Sequence, residues 1–517
     1  MASELPATNT LDVNPRERAT LLVSVLIIAI CALTYELIVG TLSSYLLGNS
    51  VTQFSFTIGL FLFAMGIGAM LSRQIDGQEV RWFITIEVVI GVFGGFSAAI
   101  LYAVFAMTAI YYYTVMVGLI LVIGACIGLE IPLLTRIVAN REDLSKALAD
   151  VLSFDYLGSL VAALAFPLLL LPAFGVTQTA FLMGLFNIGV AAVILQSFHE
   201  RLPKRNVRQL WVGIIFFSGA MVAGLIFSTS VFDYFEQQLY EERIIYREQS
   251  RYQRIVVTRN GEDVRLFLDG NLQFSSRDEY RYHEILVHPV MSVARSHERV
   301  LVLGGGDGLV ARELLKYEDV GEIIIVDLDP AMTDLARKFR PLVEINEGVL
   351  DDERVQVINQ DAYTFVQNSD ELYPVIIIDL PDPNNESLGK LYSETFYRML
   401  YNRLTPDGVF ITQATSPYFV REAFWIIVHT IQESDFYVTP LRTYVPSFGE
   451  WGFVIGTPLQ MPSLEVPEGI ELRYLTTDVL ATAMVFDPDI DEVETGVNTL
   501  DDPILVRAYA KGWRQWE

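Results

Sequence analysis

Long apolar runs recur along the first 230 residues of the chain. Seven of them approach 20 residues, the length at which a helix spans a bilayer. They lie at about residues 19–41, 51–71, 83–105, 109–135, 151–172, 176–197 and 210–229. The first run is too long for a cleaved signal peptide, and further runs follow it. The pattern predicts an N-terminal transmembrane domain of about seven helices over residues 1–232.

Positive charge in this segment is confined to alternate connections between the runs. The 11 Lys and Arg residues are Arg16, Arg18, Arg73, Arg81, Arg136, Arg141, Lys146, Arg201, Lys204, Arg205 and Arg208. Because basic loops remain in the cytoplasm, we expect a multi-pass protein of the cell membrane, in contact with lipid, with a cytoplasmic N-terminus. Seven spans would then place the remainder outside the cytoplasm, so the side of the C-terminal half is left open.

Some polar residues fall in or near the apolar runs. The acids are Glu36, Glu87, Glu130 and Asp155, and the two cysteines of the chain are Cys31 and Cys126. An acid in hydrocarbon is costly, so each must face a partner or a wet cavity. Hydrogen bonding between helices and a cation pathway both remain open. The cysteines are predicted to be packing residues rather than a disulfide or a metal site.

The pattern changes from Tyr252 onward, where short alternating stretches indicate strands. The turn Asn260-Gly261 separates two of them and predicts a hairpin, so we expect a small β domain over residues 233–290, with a polar connector at 230–250 and a closing helix at 280–293. Beyond it, apolar strands alternate with helical patterns to residue 456. This alternation predicts an α/β domain over 291–517 with a doubly wound parallel sheet.

A glycine-rich turn interrupts the first of these strand–helix units. The strand at 300–303 ends in Gly304, Gly305, Gly306, Asp307 and Gly308. Glycine lets a ligand approach the backbone closely. Asp327 ends the next strand about 20 residues later, where an acid can hold ribose hydroxyls. A carboxylate inside the turn would repel phosphate, so Asp307 predicts a cationic nucleoside rather than a dinucleotide.

Acidic residues mark the ends of four predicted strands: Asp307, Asp327, Asp361 and Asp379. Carboxyl ends of parallel strands share one edge of a sheet, so these side chains are expected to converge in one crevice. Residues 233–517 hold 25 Lys and Arg against 49 Asp and Glu, which gives −24 of the total charge of −26. Such a domain attracts cations and is a poor partner for nucleic acid.

Several short motifs together resemble the polyamine aminopropyltransferases, the spermidine synthase family, and the whole architecture resembles its membrane-fused branch. They are YQ at 252–253, LDGNLQFSSRDEYRYHE at 268–284, LVLGGGDG at 301–308, VDLDP at 326–330, QDA at 360–362, DLPDP at 379–383 and LYSETFY at 391–397. The resemblance implies a Rossmann-like fold of the class I methyltransferase type. It also implies aminopropyl transfer from decarboxylated S-adenosylmethionine to putrescine, giving spermidine and methylthioadenosine. On the same basis we expect neither a metal nor a cofactor beyond this co-substrate. We also expect a homodimer.

The resemblance also implies roles for individual residues. Asp379 would accept the proton of the attacking amine. The implied donor-binding residues are Gln253, Gly304, Gly306, Asp307, Asp327, Asp361 and Ala362. The implied amine-binding residues are Tyr282, His283, Asp307, Asp382, Gln413 and Tyr444. Asp307 would face the ammonium of the decarboxylated donor and repel the carboxylate of ordinary S-adenosylmethionine.

The chain departs from the family pattern in four places. Asp327 replaces Glu, and Ala362 replaces Gly. DLPDP at 379–383 replaces the serine-rich form common in the soluble enzymes, and residues 384–386 replace the Gly-Pro that usually follows it. The last change lies in the loop that covers the site, and the YVPSFG stretch at 444–449 resembles thermospermine synthases. A longer acceptor therefore stays open, as in a spermine or thermospermine synthase.

Two other hypotheses remain. One is a polyamine transporter or sensor whose C-terminal domain binds without reacting. The other is a methyltransferase, against which Asp307 argues. Because the donor is made in the cytoplasm, the enzyme hypothesis favours that side for the catalytic domain.

Overall fold

The computed structural model describes residues 14–47, 50–75, 77–139, 144–460 and 463–516. Arg141, one of the basic loop residues, lies outside these ranges. The chain divides into two compact units, Met1–Glu241 and Glu242–Glu517.

The first unit is helical in its described part. Its helices are α1 (Pro15–Leu47), α2 (Ser50–Leu71), α3 (Glu79–Thr108), α4 (Tyr112–Val138), α5 (Leu144–Ala165), α6 (Leu171–Phe198) and α7 (Lys204–Gln238). Short 3-10 or π turns join α3 to α4 and α5 to α6. The described residues thus form five continuous helical stretches that are long and apolar enough to cross a membrane. The seven apolar runs are helices, and their crossing of a membrane stays a prediction.

Two of the acids in the apolar runs lie inside this unit. Glu87 on α3 is fully buried, and Glu130 on α4 is 3% exposed. Asn187 of α6 donates a 2.8 Å hydrogen bond to Glu87 and accepts one of 3.3 Å from Tyr35 of α1. Hydrogen bonding between helices therefore accounts for Glu87. Glu36 and Asp155 are half-buried, and Cys31 and Cys126 are both free thiols, as predicted.

The second unit begins with a four-stranded antiparallel sheet in the order β1-β2-β3-β4. The strands are β1 (Arg243–Gln249), β2 (Arg254–Asn260), β3 (Asp263–Leu268) and β4 (Asn271–Ser275). The predicted hairpin is present, since Asn260 pairs with Asp263. The polar connector predicted at 230–250 is wrong: α7 continues to Gln238 and β1 follows. The end of α7 and β1 carry many polar side chains, so the pattern of apolar runs does not predict them.

The larger sheet has seven strands in the order β10-β11-β9-β8-β5-β6-β7. Its elements are α8 (Glu279–Val293), β5 (Arg299–Gly304), α9 (Leu309–Leu314), β6 (Glu322–Asp327), α10 (Pro330–Lys338), α11 (Arg340–Asn346), β7 (Val355–Asn359), α12 (Ala362–Asn368), β8 (Tyr373–Asp379), α13 (Glu386–Gly389), α14 (Glu394–Tyr401), β9 (Leu404–Gln413), α15 (Arg421–Glu433), β10 (Tyr437–Val445), β11 (Gly449–Thr457), α16 (Thr477–Ala483) and α17 (Ile504–Trp513). Strands β5 to β9 are parallel, whereas β11 and β10 each run antiparallel to their neighbours. The sheet is therefore mixed rather than wholly parallel. Residues 446–448 are too few for the crossover that a parallel pair requires.

Helices cover both faces of this sheet, which explains the continuous apolar strands. In β5, Val300 and Val302 face one core, and Leu301 and Leu303 face the other. A strand buried on both sides has no polar alternation. The strand order reverses between β5 and β8, and such a switch point opens a crevice beyond the carboxyl ends of the strands.

Candidate active site

A cavity of about 350 Å³ lies at this crevice, between the glycine-rich turn after β5 and the loop after β8. Seven aspartates and no Lys or Arg occur among the described residues that line it. These aspartates are Asp269, Asp307, Asp327, Asp329, Asp361, Asp379 and Asp382. A concave site with this charge favours a cationic ligand.

The glycine-rich turn lies directly against two of these acids. Gly304 has φ of 84°, and a Cβ there would be 2.0 Å from the carbonyl oxygen of Asp379. The N–H of Gly305 donates to the same oxygen at 3.2 Å. A Cβ on Gly306 would be 2.4 Å from Oδ2 of Asp327, which accepts the Gly306 N–H at 3.1 Å. The glycines are therefore required for close packing as well as for the turn.

Helix α8 brings two consecutive side chains to Asp379. The hydroxyl of Tyr282 donates a 2.6 Å hydrogen bond to Oδ1 of Asp379. Polar atoms of His283, Asp307 and Asp379 all lie within 4.8 Å of one another. Burial raises the pKa of Asp379, while the charge of His283 and the hydrogen bond from Tyr282 oppose that rise. Burial also raises the pKa of Asp307 to about 6, against the charge of His283 and with added repulsion from Asp379.

His283 is held as a cation among these acids. Its Nδ1 lies 2.9 Å from both the carbonyl oxygen and Oε2 of Glu279, and Arg312 binds the same carboxylate through two 2.9 Å hydrogen bonds. Burial alone would lower the pKa of His283, but Glu279, Asp307 and Asp379 raise it to about 9. A protonated imidazole offers no lone pair to a metal. The carboxylates of Asp307 and Asp379 can accept hydrogen bonds from an ammonium, whereas the imidazolium of His283 serves to offset their charge rather than to bind a metal.

Asp327 and Asp329 form the other side of the cavity. Asp327 accepts the N–H of Asp329 at 2.9 Å, and burial raises the pKa of Asp327 to about 6 despite its backbone hydrogen bonds. Asp329 accepts the hydroxyl of Ser250 at 2.6 Å and the amide of Gln253 at 3.1 Å. These bonds tie the β1–β2 connection, and with it Gln253, to the end of β6.

Asp361 differs from Asp307 and Asp379, which lie beside His283, because its cationic partner is a lysine. It caps α12 by accepting the N–H and hydroxyl of Thr364 at 2.8 Å each, and Nζ of Lys390 lies 3.0 Å from Oδ2. Burial would raise the pKa of Asp361, but these partners lower it below its usual value. A carboxylate that is already paired suits a neutral hydrogen-bond donor, such as an exocyclic amine of a base.

Asp382 lines the same cavity from the loop after β8. Its Oδ2 accepts the hydroxyl of Tyr509 at 2.8 Å and that of Thr415 at 3.2 Å. Its Oδ1 is buried and accepts no hydrogen bond from the described residues. Burial raises the pKa of Asp382 to about 6, against the hydrogen bonds from Tyr509 and Thr415 and the nearby amide of Gln413.

Gln413 lines the cavity mainly as a support for that loop. Its Nε2 donates to the carbonyl of Leu380 at 2.7 Å and to the hydroxyl of Tyr392 at 2.5 Å. Its Oε1 accepts the N–H of Thr415 at 2.9 Å. The amide is therefore already engaged by protein groups.

All the site residues predicted from the sequence line this cavity except Tyr444. Those present are Gln253, Tyr282, His283, Gly304, Gly306, Asp307, Asp327, Asp361, Ala362, Asp379, Asp382 and Gln413. Tyr444 is 54% exposed, because the alternation along β10 buries Thr443 and Val445 and turns Tyr444 outward. The structure thus places Tyr444 outside the site to which the motif assigned it.

Sequence reasoning missed other lining residues, among them Asp329, Phe448, Trp451 and Tyr509. Asp329 had a readable signal, since an acid directly before Pro330 is typical of a helix N-cap. Tyr509 had none, because it reaches the site from the C-terminal helix.

Comparisons with known proteins show which family the chain belongs to. The family model described as "Spermine/spermidine synthase domain" matches residues 279–466. The polyamine aminopropyltransferase of Oceanobacillus iheyensis is 44% identical over 95% of this chain and 96% of its own length. That of Leptospira interrogans is 42% identical over 96% of this chain and 99% of its own. These matches include the helical unit.

Among solved structures, a spermidine synthase in complex with the transition-state analogue AdoDATO is 28% identical. It covers 47% of this chain and 86% of its own, with a TM-score of 0.44. The full-length relatives carry the assignment: the chain belongs to the polyamine aminopropyltransferase family and is a transferase of polyamine biosynthesis.

Proposed function

We propose that this enzyme transfers the aminopropyl group of decarboxylated S-adenosylmethionine to putrescine, producing spermidine and methylthioadenosine. The observation that carries this proposal is the placement of Asp307, Asp379 and Asp382 around one cavity whose described lining contains no Lys or Arg. The donor has a sulfonium and an ammonium, and the acceptor has two ammonium groups. The reaction therefore brings together cations that need several carboxylates to offset their mutual repulsion.

The donor fits the side of the cavity formed by the ends of β5, β6 and β7. Asp327 is placed for the ribose hydroxyls beside the Gly306 backbone, and Asp361 for the adenine amine. Asp307 then faces the aminopropyl end. Its carboxylate attracts the ammonium of the decarboxylated donor and repels the carboxylate of ordinary S-adenosylmethionine, which argues against a methyltransferase.

Asp379 acts as the general base in this proposal. A protonated amine has no lone pair, so Asp379 takes one proton from it while Tyr282 holds the carboxylate in orientation. The freed lone pair attacks the methylene beside the sulfonium, the carbon–sulfur bond breaks, and its electrons pass to sulfur. Methylthioadenosine leaves as a neutral molecule, and the step needs no metal or cofactor.

The acceptor end of the site leaves a longer amine as a second candidate. Asn384 and Asn385 line the cavity where the family pattern has Gly-Pro. They follow Asp382 after a single proline, Pro383, so in this proposal they border the space beyond the first ammonium. A spermine or thermospermine synthase would use the same base with spermidine as acceptor.

The helical unit supports a proposed location in the cell membrane with a cytoplasmic N-terminus. Supply of the donor favours the cytoplasm for the catalytic unit as well, and this arrangement requires that one of the seven apolar helices does not cross the membrane. We expect a homodimer. Polyamine movement through the helical unit is a further candidate, and it rests on the buried acid Glu130, since Asn187 already accounts for Glu87. A C-terminal reporter fusion tests the side of the membrane, and polyamine flux in proteoliposomes tests transport.

The main experiment uses purified full-length protein with decarboxylated S-adenosylmethionine and either putrescine or spermidine. Mass spectrometry should detect methylthioadenosine together with the lengthened amine. Asp379→Asn should abolish turnover but keep donor binding, whereas Asp352→Asn, in a loop away from the cavity, should keep both. Absence of methylthioadenosine with every amine would overturn the proposal, and tighter binding of ordinary S-adenosylmethionine would favour a methyltransferase.

A further inference from the structure

The C-terminal helix α17 lies beyond residues 279–466, which the family model matches. Leu505, Val506 and Ala508 on this helix are buried, and Lys511 forms a 2.9 Å ion pair with Glu422 of α15. The helix is thus packed into the catalytic unit rather than extended from it. Its one residue in the cavity lining is Tyr509.

The two carboxylate oxygens of Asp382 differ in their hydrogen bonding, because Tyr509 donates to only one of them. Oδ2 accepts hydrogen bonds from Tyr509 and Thr415, whereas Oδ1 is buried and accepts none from the described residues. A buried carboxylate oxygen without a donor is unfavourable until a ligand supplies one. The ligand that supplies it has to reach Asp382 through the cavity that both residues line.

We propose that Tyr509 is a positioning residue for the acceptor amine and limits its length. Its hydroxyl fixes one oxygen of Asp382 so that the other binds an ammonium of the acceptor, and its ring closes the cavity beside that ammonium. This inference rests on the proposed function and adds a determinant of amine choice that lies outside the family motifs.

The same geometry gives a pH signature. The titratable groups around Asp382 are Tyr509 from α17, Tyr282 from α8, Tyr392 and Asp379, while Thr415 donates its hydroxyl from the segment after β9. The hydrogen bond from Tyr509 lowers the pKa of Asp382 against the effect of burial. Without it that pKa rises, so amine binding should be lost at a higher pH than in the wild type.

The test compares Tyr509→Phe and Tyr509→Ala with wild type in the full-length protein at saturating donor. Val506→Ala is the matched control, because it removes packing from the same helix without touching the cavity. In Tyr509→Phe, kcat/KM for putrescine should fall about tenfold, through KM, as expected for loss of one hydrogen bond to a charged group. The acidic limb of the pH profile of kcat/KM for putrescine should move to higher pH in this variant, and KM for the donor should stay unchanged. In Tyr509→Ala, the ratio of kcat/KM for spermidine to that for putrescine should rise severalfold.

Val506→Ala should lower thermal stability. It should change neither the pH profile of kcat/KM for putrescine nor the ratio of kcat/KM for spermidine to that for putrescine. An unchanged amine KM and pH profile in Tyr509→Phe would overturn the inference while leaving the proposed function intact. Equal changes in Val506→Ala would also overturn it, since they would assign α17 a merely structural role. Absence of transfer by the wild type would overturn the proposed function and this inference with it.

Discussion

Tyr282 and Asp379 are joined by a 2.6 Å hydrogen bond from the phenol to Oδ1 of the carboxylate. Tyr282 is 8% exposed and belongs to helix α8, while Asp379 is the last residue of β8. The proposed base is therefore oriented by a rigid element rather than by a loop. The second oxygen of Asp379 is left for the amine.

Replacement of Tyr282 by phenylalanine should reduce kcat with little change in donor affinity. Loss of orientation of the base is expected to cost about tenfold to a hundredfold in kcat. Initial rates of methylthioadenosine release measure this. Tyr397→Phe, at a buried tyrosine outside the cavity lining, should keep wild-type kcat. An equal loss in both variants would show that the effect is structural.

Asp307→Asn should flatten part of the pH dependence of donor binding. Burial raises the pKa of Asp307 to about 6, so its carboxylate is ionised above that pH and neutral below it. Wild-type affinity for decarboxylated S-adenosylmethionine should therefore fall as the pH drops through 6. Calorimetric titrations between pH 5 and 8 should show weaker, less pH-dependent binding by the variant. The titrations should also show that the variant binds ordinary S-adenosylmethionine better, relative to the decarboxylated donor, than the wild type does. If the affinity of the variant for the decarboxylated donor depended on pH as steeply as that of the wild type, Asp307 would not be the group that binds the donor's ammonium.

The same substitution should stabilise the protein when no ligand is bound. A pKa that is raised in the folded state means that the ionised carboxylate destabilises the fold, with full effect above about pH 6. Asp307→Asn should add on the order of 1–3 kcal/mol to the free energy of unfolding at pH 8, and the gain should vanish as the pH falls toward 4. Scanning calorimetry of the full-length protein measures it. Asp352→Asn should have the opposite sign, because Arg354 lowers the pKa of Asp352 through hydrogen bonds.

Glu284 is predicted to be a structural acid of the catalytic unit. It is fully buried and accepts the N–H groups of Arg473, Tyr474 and Leu475 at 2.7, 2.9 and 2.7 Å. In Glu284→Gln the side-chain NH₂ group would face backbone N–H groups that need an acceptor. The substitution should therefore lower the free energy of unfolding by about 2–4 kcal/mol. Glu422→Gln, in an exposed ion pair, should change it by less than about 1 kcal/mol. Denaturant unfolding compares the two, and equal effects would contradict the assignment.

The convergence of the strand-end acids was predictable from the sequence, because parallel strands present their carboxyl ends along one edge. Asp307, Asp327, Asp361 and Asp379 accordingly share one cavity. Their different electrostatic states were not predictable. Asp361 pairs with Lys390 whereas Asp307 lies beside His283, and such pairings depend on tertiary contacts rather than on strand position.

The positions of Tyr444 and Tyr509 relative to the site could not be predicted from sequence patterns or family motifs. The motif assigned Tyr444 to the site, but the register of β10 turns it outward. The periodicity of α17 predicts which side is buried, yet it does not tell which acid Tyr509 meets 127 residues away along the chain. The antiparallel end of the sheet could have been recognised, since only a tight connection separates β10 from β11.

Gly304 and Asp379 are packed so closely that no side chain fits between the turn and the carbonyl. If Asp379 is the base, as we propose, the glycine-rich turn and the proton acceptor are held together as one rigid unit. A change that shifted either would then misalign both partners of the proposed displacement. Tyr509 on α17 takes no part in this close contact, so its substitution should alter amine choice without moving the turn or Asp379.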